Sequence, residues 1–169
     1  MTSKRGTFTD QDGRSWLCSI NIATVRSLKD RIGLDVMTAF EGKLFSELAS
    51  DPVRLGDALY VVCEQQARDR GISDWDFGCL LAGDTLDRAT DALIEAIIDF
   101  FPGSRREILS QIWNKQRQAD RQVTAAALRR VNSPAMDRMI AKAVSEAELE
   151  LDRAMMSGDG SGSQSEQSE

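Results

Sequence analysis

The sequence predicts a mainly α fold: a small helical domain with an N-terminal β-hairpin, projecting C-terminal helices and a disordered tail. Three observations carry this. The stretch from Asp74 to Pro102 holds a long apolar helix closed by Pro102, in which Leu86, Ala89, Leu93, Ile97 and Phe100 form one row and Ile94, Ile98 and Phe101 a second. Rows three and four apart share a helical face, so two adjacent rows make a broad stripe that suits the centre of a domain. Near the N-terminus, Trp16, Cys18, Ile20 and Ile22 alternate with other residues at the period of a half-buried strand. After Trp113 the apolar pattern fails, and from Ser157 the chain is Gly/Ser/Gln-rich. Together these place a globular domain at 1–113, a helical arm at 114–156 and a disordered tail at 157–169.

Taken in order, residues 7–22 read as a hairpin turning at Asp10-Gln11-Asp12-Gly13, since Asp-Gly supplies the positive φ that a tight turn needs. The Asp10/Asp12 pair invites a calcium-loop reading, but the position of the closing bidentate Glu falls on Asn21, so the stretch is read as a turn. A short helix capped near Asn21 or Thr24 follows, with Val25, Leu28 and Ile32 inward and Gly33 as its stop. Phe40, Leu44, Phe45 and Leu48 have helical spacing across Leu34–Leu48, interrupted by Gly42. Asp51-Pro52 opens a further helix with Leu55, Ala58, Leu59, Val62 and Cys63 inward, ending at Gly71. Ser73 caps a short helix whose apolar groups are Trp75, Phe77, Leu80 and Leu81, and Asp84 caps the central helix. Ser104-Arg105-Arg106-Glu107 has the capping-box pattern, and Ile108, Leu109, Ile112 and Trp113 are expected to dock the helix that it opens. Asn114 is the expected boundary. Beyond Asn132-Ser133-Pro134, Met136, Ile140, Ala143, Ala147, Leu151, Ala154 and Met155 make a thin stripe, too lean for a core of its own.

Composition narrows the function classes. The chain has 169 residues, a hydrophobic share of 41% and no histidine. Histidine's absence removes the commonest general base, His-based metal sites and Ser-His or Cys-His nucleophiles. Cys18, Cys63 and Cys79 each sit in apolar context and read as buried, reduced thiols. Residues 1–102 carry 11 Lys/Arg against 17 Asp/Glu, residues 103–156 carry 10 against 7, and the tail adds three acids and no base. Phosphate binding needs a concentrated positive field, so nucleic acid is not expected as a partner. No run is long enough to span a bilayer and no signal peptide precedes the hairpin, so a cytoplasmic location without membrane association is expected.

The most conspicuous polar constellation is an acidic strip on the central helix: Asp84, Asp87, Asp91, Glu95 and Asp99. Carboxylates at this spacing repel, and Arg88, Arg105 and Arg106 are the expected offsets. Asp87, Asp91 and Glu95 read as a solvated face first, then as a docking surface for a basic partner, and last as the carboxylates of a metal-dependent enzyme. Trp75, Phe77, Phe100, Phe101 and Trp113 read as core in preference to a ligand pocket. No cofactor is expected.

Several segments stand in a suggestive order. The hairpin reads F-x-D-x-x-G-R-x-W from Phe8 to Trp16. "SLKDRIGLDV", then "LASDP", "GISDWDFGCLLAGDTLDRATDALIEAIIDFFP" and "SRREIL" follow. Over residues 7–113 this arrangement resembles the small tail assembly chaperones of long-tailed bacteriophages and prophage-like elements. The resemblance implies a non-enzymatic role in the host cytoplasm: binding the long helical tape-measure protein and helping to recruit tail-tube subunits, with self-association a further candidate. The thin stripe through Met136, Ile140, Ala143, Ala147, Leu151 and Met155 is the expected partner contact, because methionine adapts to varied apolar surfaces. An acidic adaptor that binds a basic protein through Asp87, Asp91 and Glu95 is the alternative.

Overall fold

The structure, a computed structural model, describes residues 6–157; the expected disordered tail lies outside the described residues except for Ser157, which is the last residue of a helix. The described residues are mainly helical, with one two-stranded antiparallel sheet, and divide into two compact units between Gln118 and Ala119.

The hairpin pairs β1 (Thr7–Thr9) with β2 (Ser15–Leu17), Phe8 facing Trp16. Its turn is organised by the Asp10 carboxylate, which is buried. One oxygen accepts the N–H groups of Asp12 (3.0 Å) and Arg14 (2.8 Å), and the other accepts the Trp16 indole N–H at 2.8 Å. A buried carboxylate is tolerable only when its acceptor capacity is filled in this way. The expected strand through Ile22 stops at Leu17. Asn21 caps α1 (Ile22–Ile32) by accepting the Thr24 N–H, so Ile22 becomes the first, exposed residue of a helix. Gly33 (φ 66°) ends α1, with Leu28 buried and Val25 and Ile32 packed against the core.

The stretch after Leu34 splits at Gly42, which has φ 73°, into a 3-10 helix (Val36–Glu41) and α2 (Lys43–Ser50). Asp51 caps α3 (Pro52–Asp69) by accepting from the N–H groups of Val53 and Arg54. Val61 and Ala67 join Leu55, Ala58, Leu59 and Cys63 in the core, whereas Val62 is only half-buried. Across α1 and α3, Glu64 accepts from Arg31 at 2.7 Å and from Arg68 at 2.8 Å. Ser73 caps α4 (Asp74–Cys79), of which Phe77 alone is buried.

The central helix α5 (Asp84–Phe100) buries both expected rows from Ala89 to Ile98, and Leu86 and Phe100 pack at its ends. Its cap is Gly83 and not Asp84: with φ 55° and ψ −136°, the glycine turns the chain so that Asp84 is already helical. β1, α2 and α3 all pack on α5. The approach of the hairpin is closest at Gly6, whose φ is 70° and where a Cβ would lie 3.1 Å from the Cys18 carbonyl and 3.4 Å from the Ala96 methyl. Around α5, aromatic pairs meet edge to face: Trp16 with Phe77 (4.8 Å), Phe40 with Phe101 (5.0 Å) and Phe45 with Trp113 (5.8 Å). Helix α6 (Gly103–Val131) begins one residue before Ser104, which is therefore inside the helix and not its cap. Leu109 and Trp113 dock it, Ile112 is half-buried and Ile108 faces outward.

Cys18 and Cys63 are buried, and the Cys18 thiol is pushed well above its ordinary value by a hydrogen bond to Cys63 and by burial. Cys79 departs from the expectation: it is exposed.

The second unit holds the end of α6 and α7 (Pro134–Ser157), joined at Asn132-Ser133. Ser133 accepts the Met136 N–H (3.3 Å), and Pro134 occupies the first helical position. Between residues 119 and 156 no side chain is buried, and only Ala125, Ser133 and Met136 are half-buried.

Candidate functional site

Three surfaces bear chemistry that the core does not use. The first is the acidic strip. On α5 the broad apolar stripe leaves a narrow polar edge, and this positions Asp87, Asp91, Glu95 and Asp99 about one turn apart. The chain itself supplies much of their compensation. Arg117 on α6 pairs with Asp91 at 3.1 Å, and Arg106 pairs with Asp99 at 3.7 Å while donating to the Asp99 carbonyl. Glu95 accepts the Gly6 N–H at 3.4 Å, which ties the hairpin to the strip. Of the expected offsets, Arg106 is in place. Arg88 donates instead to Thr85 Oγ1, and Arg105 lies over the Phe40 ring. Arg117, fourteen residues beyond the start of α6, was out of reach of helical spacing on α5 and could be found only once the two helices were packed. Among the described residues no three carboxylates or thiols converge as metal ligands would, so Asp87, Asp91 and Glu95 do not form a metal centre there.

The second surface is α7. Helical spacing puts Met136, Ile140, Ala143, Ala147, Leu151 and Met155 on one face. Ile140, Leu151 and Met155 are exposed, as are Met139 and Val144 beside them. The helix is held by local terms: residues of high helical propensity, the Ser133 cap and the Lys142–Glu146 pair at 3.7 Å.

The third surface includes Trp75 and Phe77, which the sequence reads as core in preference to a pocket. An apolar groove of about 530 Å³ opens where the first turns of α3 and α5 meet α4. Val53 and Gly56 come from α3, Trp75 and Phe77 from α4, and Leu81 and Leu86 from the joint and the start of α5. Trp75, expected in the core, is 81% exposed, and Val53 is 72% exposed. Two carboxylates, Asp57 and Asp74, lie in the lining. A sign of the groove was present in the sequence: α4 has two aromatics two residues apart, and a helix cannot turn both to the same side.

In comparisons with known proteins, no family model, no curated protein and no solved structure matches this chain. Among the described residues, no helix is long and apolar enough to cross a membrane.

Proposed function

We propose that the protein is a non-enzymatic assembly chaperone of the phage-tail kind, which binds the tape-measure protein through α7 and helps bring tail-tube subunits to it. One observation carries the binding role: α7 presents an apolar face of Ile140, Leu151, Met155 and their neighbours, and nothing in its unit buries it. Isolated helices gain little from propensity alone, and their stability in proteins comes mainly from packing an apolar face. A helix with such a face and no core to pack against is suited to close on a helical partner, with side chains three and four apart as anchors. Methionines at Met136, Met139 and Met155 suit a partner whose apolar surface varies along its length. A tape measure, long and helical, is such a partner. Its specific identity rests on the resemblance across residues 7–113.

The test is co-expression of the tagged full chain with the proteins encoded beside it, followed by capture and mass spectrometry. A long helical protein should be recovered. Recovery should be lost on the double substitution Ile140→Glu with Leu151→Glu, both at exposed sites that leave the melting temperature unchanged. Capture that survives this double substitution, or that yields only a small basic protein released by salt, would overturn the proposal.

A further inference from the structure

The groove at α4 is lined by residues of the first unit alone. We infer that it is a docking site for a basic amphipathic helix of another protein, which seats apolar anchors beside Trp75 and sets lysines or arginines against the groove's carboxylates.

Trp75 is the first reason. Tryptophan is costly to leave in water, and it is enriched among the residues that dominate binding energy. Here the ring is 81% exposed, with no aromatic partner among the described residues. Phe77, two residues on, fills the core against Trp16 and Tyr60, while Trp75 stands out at the groove wall. Val53 adds a second exposed apolar side chain at the same spot, and isolated exposed apolar residues seldom line a concavity together. The volume, about 530 Å³, accommodates more than one large side chain.

Charge selects the occupant. Asp57 and Asp74 lie in the lining, and the first turn of α5, which brings Leu86 to the groove, carries Asp84 and Asp87. None of these four has a cationic partner among the described residues, in contrast to Asp91 and Asp99 farther along the same helix. An uncharged partner would bury Asp57 and Asp74 without compensation, and an acidic one would be repelled. A lysine or arginine flanking an apolar anchor would pair with the rim and could also lie over the Trp75 ring.

The full chain permits a direct test. Of its three tryptophans, Trp16 and Trp113 are buried, so Trp75 dominates any change in emission on binding. The probe is a synthetic helix of leucine and lysine at amphipathic spacing, with a counterpart in which every lysine is glutamate. The lysine helix should shift the emission to the blue, saturably and less tightly at high salt. Calorimetry should show the affinity falling at least ~10-fold in Val53→Glu and several-fold in the pair Asp57→Asn with Asp74→Asn. Ile140→Glu with Leu151→Glu should leave it unchanged, which separates this site from α7. Equal binding of the glutamate helix, or undiminished binding by a folded Val53→Glu chain, would overturn the inference. So would an oligomer, seen by light scattering without peptide, that Trp75→Ala dissolves: the groove would then belong to a second copy.

Discussion

Helices α5 and α7 are written in the same periodic code and come to opposite ends. Both carry apolar residues at steps of three and four, and both are long. In α5 the residues from Ala89 to Ile98 are buried on two adjacent rows, whereas α7 buries none. The difference lies in what faces them. Helix α5 is met by the hairpin, α2 and α3, so each isoleucine and leucine removed from water adds roughly 1.5–3 kcal/mol. The α7 face meets nothing from its own unit, and the helix relies on cap, propensity and local side-chain contacts such as Lys142–Glu146, each worth about a kcal/mol or less. One helix is a product of the fold, and the other is a surface offered by it.

The comparison can be broken most sharply by deleting matching side chains. Leu93→Ala in α5 should cost about 3–5 kcal/mol in urea denaturation, because its cavity is enclosed. Leu151→Ala in α7 should change the same measurement by less than about 0.5 kcal/mol. A large effect at Leu151 would mean that α7 is packed in solution. Hydrogen exchange should agree, with α5 amides protected to the level of global unfolding and α7 amides exchanging through fraying.

A smaller effect is expected at the hairpin that covers α5. Asp10→Ala strands the buried Trp16 indole N–H and frees two part-buried backbone N–H groups of the turn, and should cost about 2–4 kcal/mol. A cost below 1 kcal/mol would show that the hairpin contributes little to covering α5.

Smaller again is the contribution of Glu64. Arg31, then Arg68, hold its carboxyl below the ordinary value of 4.5 against a partial offset from desolvation. A carboxyl lowered by folding stabilises above its unfolded value, and that contribution is lost as pH falls through the folded value. Glu64→Gln should therefore lower the urea midpoint at pH 7 and lower it less at a pH below 4.5. A constant difference at both pH values would assign the effect to packing.

The last test changes no stability. Iodoacetamide should label Cys79 in the native chain, and Cys18 and Cys63 only after unfolding, since the latter pair are buried and the Cys18 thiol is held protonated.

What was legible in the sequence follows the range of each interaction. Caps at Asn21, Asp51 and Ser73 and the stop at Gly33 are decided within four residues, and they were readable. The double row on α5 was readable because seventeen residues give periodicity room to show. At α4, six residues make fewer than two turns, so Trp75 and Phe77 could not be told apart as outward and inward. Ser104 carried a full capping-box pattern, yet the helix had already begun at Gly103. The Arg117–Asp91 pair and the Gly6–Glu95 bond depend on packing between segments distant in the chain, and no local pattern encodes them; of the groove, only the Trp75/Phe77 spacing is local. Periodicity says which face of a helix is apolar. It does not say whether that face has a neighbour, and this is why α7 was recognisable only as a lean stripe.

The edge of the small sheet has a consequence of its own. Gln66 on α3 holds both polar groups of Leu17, its Nε2 donating to the carbonyl at 2.8 Å and its Oε1 accepting the N–H at 3.1 Å. Arg70, one turn on, donates to the Ser15 carbonyl at 2.9 Å and lies over the Trp16 ring. Two side chains thus imitate the third strand that β2 would otherwise recruit, while β1 is laid against α5. Strand addition, the cheapest way for one chain to capture another, is blocked at this edge. With β2 occupied in this way, that edge of the small sheet offers no open ladder from which a fibre could be seeded.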